Sequence, residues 1–346
     1  MIAAAIVGLG RWGKTLVEAV QGKSGRLRFT HAVSRGPAGL RDFGIRHGLE
    51  FVGEIEPVLA DPGIDAVVLA TPHSLHCRQI IAAAKAGKAV FCEKPLTLTR
   101  ADAARAIAAC REAGVVLGIG TDKRFFPAVR ELLRLAKSGE LGRILHVEAH
   151  FSNEVAGTFS EWRYLLEESP AGGMTGTGIH MLDALIALAG PIRRVQVMLL
   201  SHKPPPDPLD SLSTLLEFAS GVGGTLAMVR STPAYFRLHA FGRDASAEAL
   251  GRTDLVVRRS GADVQVFSFP PVDSVRANLE AFADAVAGGA PYPIPTSEML
   301  DTVAAFEAIA DAAKSDGRIQ EVPVYNQALT PDRIASHIGA IQWADL

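Results

Sequence analysis

Lys94 closes a short apolar run, Ala89-Val90-Phe91-Cys92-Glu93-Lys94-Pro95, that reads as a buried strand running into a turn. An ammonium there can polarise a carbonyl or relay a proton, provided a redox-active ring lies beside it. The chain offers a place for such a ring at its start, where the apolar run Met1–Val7 enters Gly8-Leu9-Gly10-Arg11-Trp12-Gly13. A strand before these glycines, a helical pattern after them and a second strand soon after turn the spacing into a dinucleotide fingerprint. Gly8 serves the tight turn, Gly10 lets a pyrophosphate approach the backbone, and Gly13 lets helix and strand pack closely. Ligands of open parallel sheets bind at the carboxyl ends of the strands, so Lys94 and the glycine turn are expected on one edge. That placement describes a dehydrogenase or reductase. The other glycine clusters, Gly176-x-Gly178 and Gly221-x-Gly223-Gly224, lack a strand–turn–helix setting and read as turns or close packing.

The end of the second strand bears on the cofactor. An acidic residue there would bind the ribose 2′-hydroxyl of NAD. This chain reads Ala32-Val33-Ser34-Arg35-Gly36 instead. A hydroxyl beside a guanidinium suits a 2′-phosphate, so NADP is expected over NAD, with NAD left open.

These residues need a frame. Over residues 1–121 short apolar runs alternate with amphipathic stretches, which predicts βαβ units and a doubly wound parallel sheet of Rossmann type. Strands are expected at Ala3–Val7, Arg28–Val33, Ala66–Ala70, Ala89–Cys92 and Val115–Gly118, with helices at Gly13–Gln21, Leu75–Ala86 and Arg100–Ala113. Thr99 caps the last of these and Gly114 stops it. A second, α+β domain follows over residues 122–322. It begins with a helix at Pro127–Lys137. Strands are expected at Ile144–Phe151, Arg193–Leu200, Ser211–Phe218, Gly224–Arg230, Phe236–Phe241 and Val264–Phe267, making a large, open, mostly antiparallel sheet. Helices are expected at Met174–Leu188, Val272–Ala287 and Thr296–Lys314, a rigid connector at Pro204-Pro205-Pro206, and a tail over residues 323–346.

Composition narrows the class. A chain of 346 residues with 48% hydrophobic content buries large cores and is not disordered. A net charge of −2 implies no nucleic-acid partner. The first 49 residues nevertheless carry eight cations (Arg11, Lys14, Lys23, Arg26, Arg28, Arg35, Arg41, Arg46) against Glu18 and Asp42. Such a field suits a phosphorylated cofactor, or is simply a solvated face. Cys77, Cys92 and Cys110 are odd in number and lack paired spacing, so no disulfide framework is implied. The opening apolar run lacks a basic leader and no stretch reaches membrane-spanning length. A cytoplasmic enzyme follows.

In their order the motifs resemble the glucose–fructose oxidoreductase / inositol dehydrogenase / rhizopine-catabolism oxidoreductase family, written Gfo/Idh/MocA. The resemblance runs through Gly8–Gly13, Thr71-Pro72-His73-Ser74-Leu75-His76, Glu93-Lys94-Pro95, Arg124-Phe125, Trp162-Arg163 and Gly178-Ile179-His180-Met181-Leu182-Asp183. It implies a sugar-like or cyclitol-like substrate and a large open sheet that joins subunits, as a homodimer or homotetramer. It also implies that Lys94 lies by the nicotinamide and the reacting oxygen. His180 matches the histidine that takes the hydroxyl proton as hydride leaves, a duty that suits a neutral imidazole. Arg163 resembles an active-site arginine, and Arg124 does so less closely. Asp183 orients His180 or caps the helix region. Cofactor contacts are expected from Gly8, Gly10, Arg11, Trp12, Gly13, Ser34, Arg35, Thr71, Pro72, His73, His76, Glu93 and Lys94.

Two positions depart from the family's pattern. Four residues before the histidine many members carry aspartate, whereas this chain has Gly176. The cyclitol-type dyad is incomplete: Gly176 either makes room for a bulkier substrate or lets another hydroxyl-binding group, Thr175 or Thr177, reach in. His73 stands where asparagine is common. With His76 and Cys77 it forms His-x-x-His-Cys, but without further clustered ligands a nicotinamide-side or helix-entry role is expected rather than a metal. The rival to an enzyme is a non-catalytic nucleotide or ligand sensor on the same fold.

Overall fold

The computed structural model describes residues 1–34, 36–153, 161–202, 210–315 and 318–324. Arg35, Pro204-Pro205-Pro206 and most of the expected tail lie outside the described residues.

The first half contains β1 (Ile2–Val7), α1 (Arg11–Val20), β2 (Leu27–Val33), α2 (Arg41–His47), β3 (Glu50–Val52), α3 (Glu56–Ala60), β4 (Ala66–Leu69), α4 (His76–Lys85), β5 (Ala89–Cys92), α5 (Arg100–Ala113) and β6 (Leu117–Ile119). All six strands are parallel, in the order β3-β2-β1-β4-β5-β6. β4 and β5 are buried at every position, as strands covered on both faces must be. The order reverses between β1 and β4, and that switch point is where such sheets open a crevice at their carboxyl edge. The capping expected for α5 holds: the Thr99 hydroxyl accepts from Asp102 N at 3.2 Å, and Gly114 ends the helix with a positive φ of 65°.

The second half contains α6 (Pro127–Lys137), β7 (Ile144–Ser152), α7 (Gly178–Ala189), β8 (Ile192–Leu200), β9 (Ser211–Phe218), β10 (Gly223–Val229), β11 (Tyr235–Gly242), β12 (Ala245–Leu250), β13 (Asp254–Arg259), β14 (Gln265–Ser268), α8 (Ser274–Val286), α9 (Thr296–Lys314) and β15 (Gln320–Glu321). Its nine strands run β14-β13-β12-β11-β7-β10-β9-β8-β15. Among the described residues of this sheet only β7 and β10 pair in parallel. Alternation along β9 sends Leu212, Leu216 and Phe218 inward while Leu215 faces out. The inward face packs under α6, α7 and α9; on the other face Met198, Leu215 and Tyr235 are exposed.

The boundary at residue 121 is crossed once more. α8 returns to the first sheet and places Phe282 edge-on against Phe91, with ring centroids 5.6 Å apart. Gly118 admits that contact, because a Cβ there would lie 2.8 Å from Phe282 and 2.9 Å from Phe91. Ile294, Met299, Leu300 and Val303 join the core on the opposite face of the same sheet. Residues expected in the second domain therefore complete the first.

Candidate active site

The glycine turn sits at the end of β1. Gly8 has φ +95°, and a Cβ on it would come 2.6 Å from the Ala70 carbonyl oxygen at the end of β4. A Cβ on Gly13 would come 2.1 Å from the Gly8 carbonyl oxygen. Neither neighbour can yield, because both are backbone. Gly10 is different, since a Cβ there would meet nothing within 4 Å. Gly10 precedes α1 without a side-chain cap, and the first turn of that helix carries no acid. Open space before uncapped N–H groups, with Arg11 as first helical residue, fits a pyrophosphate. Thr71 borders the same turn, its methyl 3.2 Å from where a Gly8 Cβ would stand, and Pro72 follows it in the chain. Ser34 directly follows β2, its N–H donating to the Val52 carbonyl at 3.0 Å.

The end of β5 supplies the reactive cation. Lys94 Nζ donates to the Thr175 carbonyl at 3.1 Å and the Gly176 carbonyl at 2.9 Å. Two of its three N–H groups are thereby aimed, leaving one for a ligand. Burial lowers its pKa from the ordinary lysine value, and the Glu93 carboxylate opposes that shift. Burial raises Glu93, whose carboxylate presses so closely on Gly120 that no Cβ would fit there. The Trp12 indole and Lys94 both counter that rise.

α7 brings His180 to the same place. The helix is apolar and buried almost all round, so its polar members are few and fixed. His180 Nδ1 is buried without a hydrogen-bond partner and lies 3.8 Å from Asp122 Oδ1. Burial, then the Lys94 and Lys123 charges, hold its pKa well below the usual value, so the ring is neutral at pH 7. Asp122 is itself anchored by Lys123 Nζ at 3.0 Å and Ser274 Oγ at 2.9 Å.

A loop from the second half closes the other side. Glu168 accepts from Ser74 N at 3.2 Å and pairs with the Ser74 hydroxyl, while its carbonyl accepts from His73 Nδ1 at 2.7 Å. Trp162 meets His73 edge-on at 5.1 Å between centroids, and the Arg163 guanidinium lies over Trp162 at 4.3 Å. His76 is fully buried, with Nδ1 2.9 Å from the Pro95 carbonyl and Nε2 3.1 Å from that of Thr71. It ties the β4 and β5 loops together rather than facing a ligand. Among the described residues no group of three or more His, Cys, Asp or Glu side chains converges on a metal-sized space.

Lys94 thus lies close enough to His180 and Arg163, and Arg163 to Arg11 of the glycine turn, for their charges to act on one another. Arg124, Asp183 and Thr177 point elsewhere. Arg124 donates to the Asp183 carbonyl at 3.0 Å and to Glu298 at 2.6 Å, and it lies 3.4 Å from the Asp183 carboxylate. Burial opposes its charge, yet Asp183 and Glu298 keep its pKa above the ordinary arginine value. The trio stitches α7 to α9. Thr177 Oγ1 donates to the Gly173 carbonyl at 3.2 Å and packs on Met228. The acid nearest His180 is Asp122, not Asp183. The sequence reading passed over Asp122, Lys123 and Glu168. Asp122 follows β6, so the strand-end rule applied to Lys94 would have found it.

The chain matches the GFO/IDH/MocA oxidoreductase family, with an NAD-binding Rossmann fold, over residues 2–121, and the GFO/IDH/MocA C-terminal domain over residues 129–248. It is similar to scyllo-inositol 2-dehydrogenase (NAD(+)) of Bacillus subtilis, 31% identical over 259 residues that span 72% of this chain and 71% of the relative. D-xylose 1-dehydrogenase (NADP(+)) 2 of Haloferax volcanii is 29% identical over 282 residues, 78% of this chain and 84% of that one. The crystal structure of aldose-aldose oxidoreductase from Caulobacter crescentus, complexed with glycerol, aligns with a TM-score of 0.81 at 25% identity, covering 93% of this chain and 99% of that chain.

Proposed function

We propose that this NAD(P)-dependent oxidoreductase, which belongs to the GFO/IDH/MocA family, interconverts a hydroxyl and a carbonyl on a sugar-like molecule, using Lys94 and His180 and preferring NADP. The observation that carries the reading is the grip of Lys94 by the Thr175 and Gly176 carbonyls, one turn ahead of His180. The bound nicotinamide supplies the hydride acceptor in oxidation and the donor in reduction. Lys94 turns its remaining N–H to the reacting oxygen and stabilises the negative charge that gathers there. His180, held neutral, takes the hydroxyl proton as the C–H electron pair departs and the C=O bond forms; in reduction it returns that proton. Glu168 fixes the loop that carries Arg163 against the β4 turn.

Ser34 with Arg35, and no carboxylate in Ala32-Val33-Ser34-Arg35-Gly36, supports NADP. The exposed apolar residues of the nine-stranded sheet support assembly into a homodimer or homotetramer through that face. Free, buried Cys77, Cys92 and Cys110 suit a reducing, cytoplasmic setting. No helix among the described residues is long and apolar enough to cross a membrane.

Replacing Lys94 with alanine should lower turnover by about 10²–10⁴-fold while leaving the NADPH dissociation constant nearly unchanged. An unaltered rate would remove Lys94 from the chemistry. Fluorescence titration of the native protein should give tighter binding of NADPH than of NADH; the reverse order would discard the NADP assignment.

A further inference from the structure

Asp122 enters the site from the strand next to the one that carries Lys94. It follows β6 and opens a short helical turn, Asp122–Phe125, at the carboxyl edge of the first sheet. β5 pairs with β6, so Lys94 and Asp122 leave neighbouring strands on one edge. Their charges act on each other: burial lowers the Lys94 pKa, and Asp122, after Glu93, opposes that shift. Burial raises the Glu93 pKa, and Asp122 adds to the rise.

The two oxygens of this carboxylate are used unequally. Oδ2 accepts from Lys123 Nζ at 3.0 Å and from Ser274 Oγ, at the start of α8, at 2.9 Å. Among the described residues Oδ1 accepts only from Lys123, at 3.1 Å, so a lone pair remains on it. That oxygen lies 3.8 Å from His180 Nδ1, a buried nitrogen without a partner. The two residues are 4% and 3% exposed, His180 and Asp122 respectively. The gap is a little beyond hydrogen-bond length, and such catalytic contacts often tighten only when substrate seats. With its proton on Nδ1 the neutral ring donates to Asp122; with the proton on Nε2, lone pair would face lone pair. Burial, then Lys94 and Lys123, depress the His180 pKa. A ring that must accept a proton between two ammonium groups is served by a carboxylate at its other nitrogen.

We propose that Asp122 is the positioning residue for His180: its Oδ1 holds the Nδ1 proton and leaves the Nε2 lone pair to the reacting hydroxyl. In oxidation the hydroxyl proton passes to Nε2, the O–H electron pair becomes the second C=O bond, and the C–H hydrogen leaves with its pair as hydride to the nicotinamide. The imidazolium keeps its Nδ1 proton, while Asp122 stays ionised and balances the new charge. The proposal rests on the reading of Lys94 and His180 as a hydroxyl–carbonyl pair, and it supplies an orienting carboxylate where Gly176 has none.

Nuclear magnetic resonance of the full chain, with histidines labelled at the ring nitrogens and NADP+ present at neutral pH, reads the tautomer directly. The His180 signals are those lost in His180→Gln. The native protein should show Nδ1 protonated and Nε2 bare. In Asp122→Asn an amide N–H can donate to Nδ1, so the ring proton should move to Nε2; in Asp122→Ala the two tautomers should mix. A native ring protonated on Nε2 would overturn the proposal without recourse to any variant. So would a ring unchanged in both variants, the result expected of a merely structural Asp122 whatever their melting temperatures. Turnover of NADP+ with D-glucose and with myo-inositol keeps the two readings apart. Asp122→Asn should lower kcat by about 10²–10³-fold and change KM by less than about three-fold. Native kcat in that variant would refute the positioning role alone. A ring proton that answers to Asp122, in a protein that oxidises neither probe, would uphold the positioning role and count against the hydroxyl–carbonyl chemistry.

Discussion

Two glycine-rich stretches, Gly8–Gly13 running into α1 and Gly172–Gly178 running into α7, look alike as strings and differ in what their missing side chains make room for. In the first, Gly8 and Gly13 are pressed on backbone atoms, and Gly10 borders open space. In the second, Gly173 yields to Arg230, and a Cβ on Gly178 would lie 2.2 Å from Met174 Sδ. One turn is closed on backbone and leaves open space at Gly10; the other is shaped around the protein's own side chains. Glycine content therefore says little until the neighbour of each Cα is known.

The sharpest way to break this contrast is Gly13→Val. The obstructing atom is a carbonyl oxygen of the same turn, so β1 and α1 must separate; a loss of about 3 kcal/mol or more in urea unfolding is expected, together with dinucleotide binding. A folded Gly13→Val protein with native affinity would show that the turn is not rigid. Gly10→Ala should act only on the arriving partner. Its melting temperature should match the native protein while the NADPH dissociation constant rises roughly ten-fold, about 1.4 kcal/mol. Unchanged affinity would mean that no phosphate comes near Gly10.

In the second turn the obstruction can move. Gly173→Ala pushes a flexible arginine stem rather than backbone, so a loss of about 1 kcal/mol is expected, well short of Gly13→Val. A larger loss would place the two turns in one class. Gly176→Asp should be the mildest change, within about 0.5 kcal/mol. Its backbone is ordinary right-handed helix (φ −83°, ψ −51°), and the side chain has room. Melting curves measured side by side rank Gly13→Val, Gly173→Ala and Gly176→Asp.

The first turn was legible because its meaning is local: strand, glycines and helix are contiguous in the chain. The same holds for β5 and α5, whose ends coincide with the expected ones. β12 was missed for the opposite reason. Ala-Ser-Ala-Glu-Ala-Leu has poor intrinsic preference for a strand, and it becomes one because β11 and β13 flank it and bury Ala247 and Ala249. The site divides in the same way. Lys94 could be read from a strand end, whereas Glu168 reaches Ser74 across 94 residues and Arg230 reaches Gly173 only through the fold of the large sheet. Arg124 and Asp183 carry familiar motif letters yet satisfy each other, which spacing alone does not reveal.

The return of α8 to the first sheet has a bearing on modularity. Leu279, Phe282 and Ala283 belong to the core that also contains Phe29, Ala66 and Phe91. A recombinant fragment cut after residue 121 would bare that surface to water and is expected to aggregate. Grafting the nucleotide-binding half onto a relative therefore requires moving two stretches of chain at once.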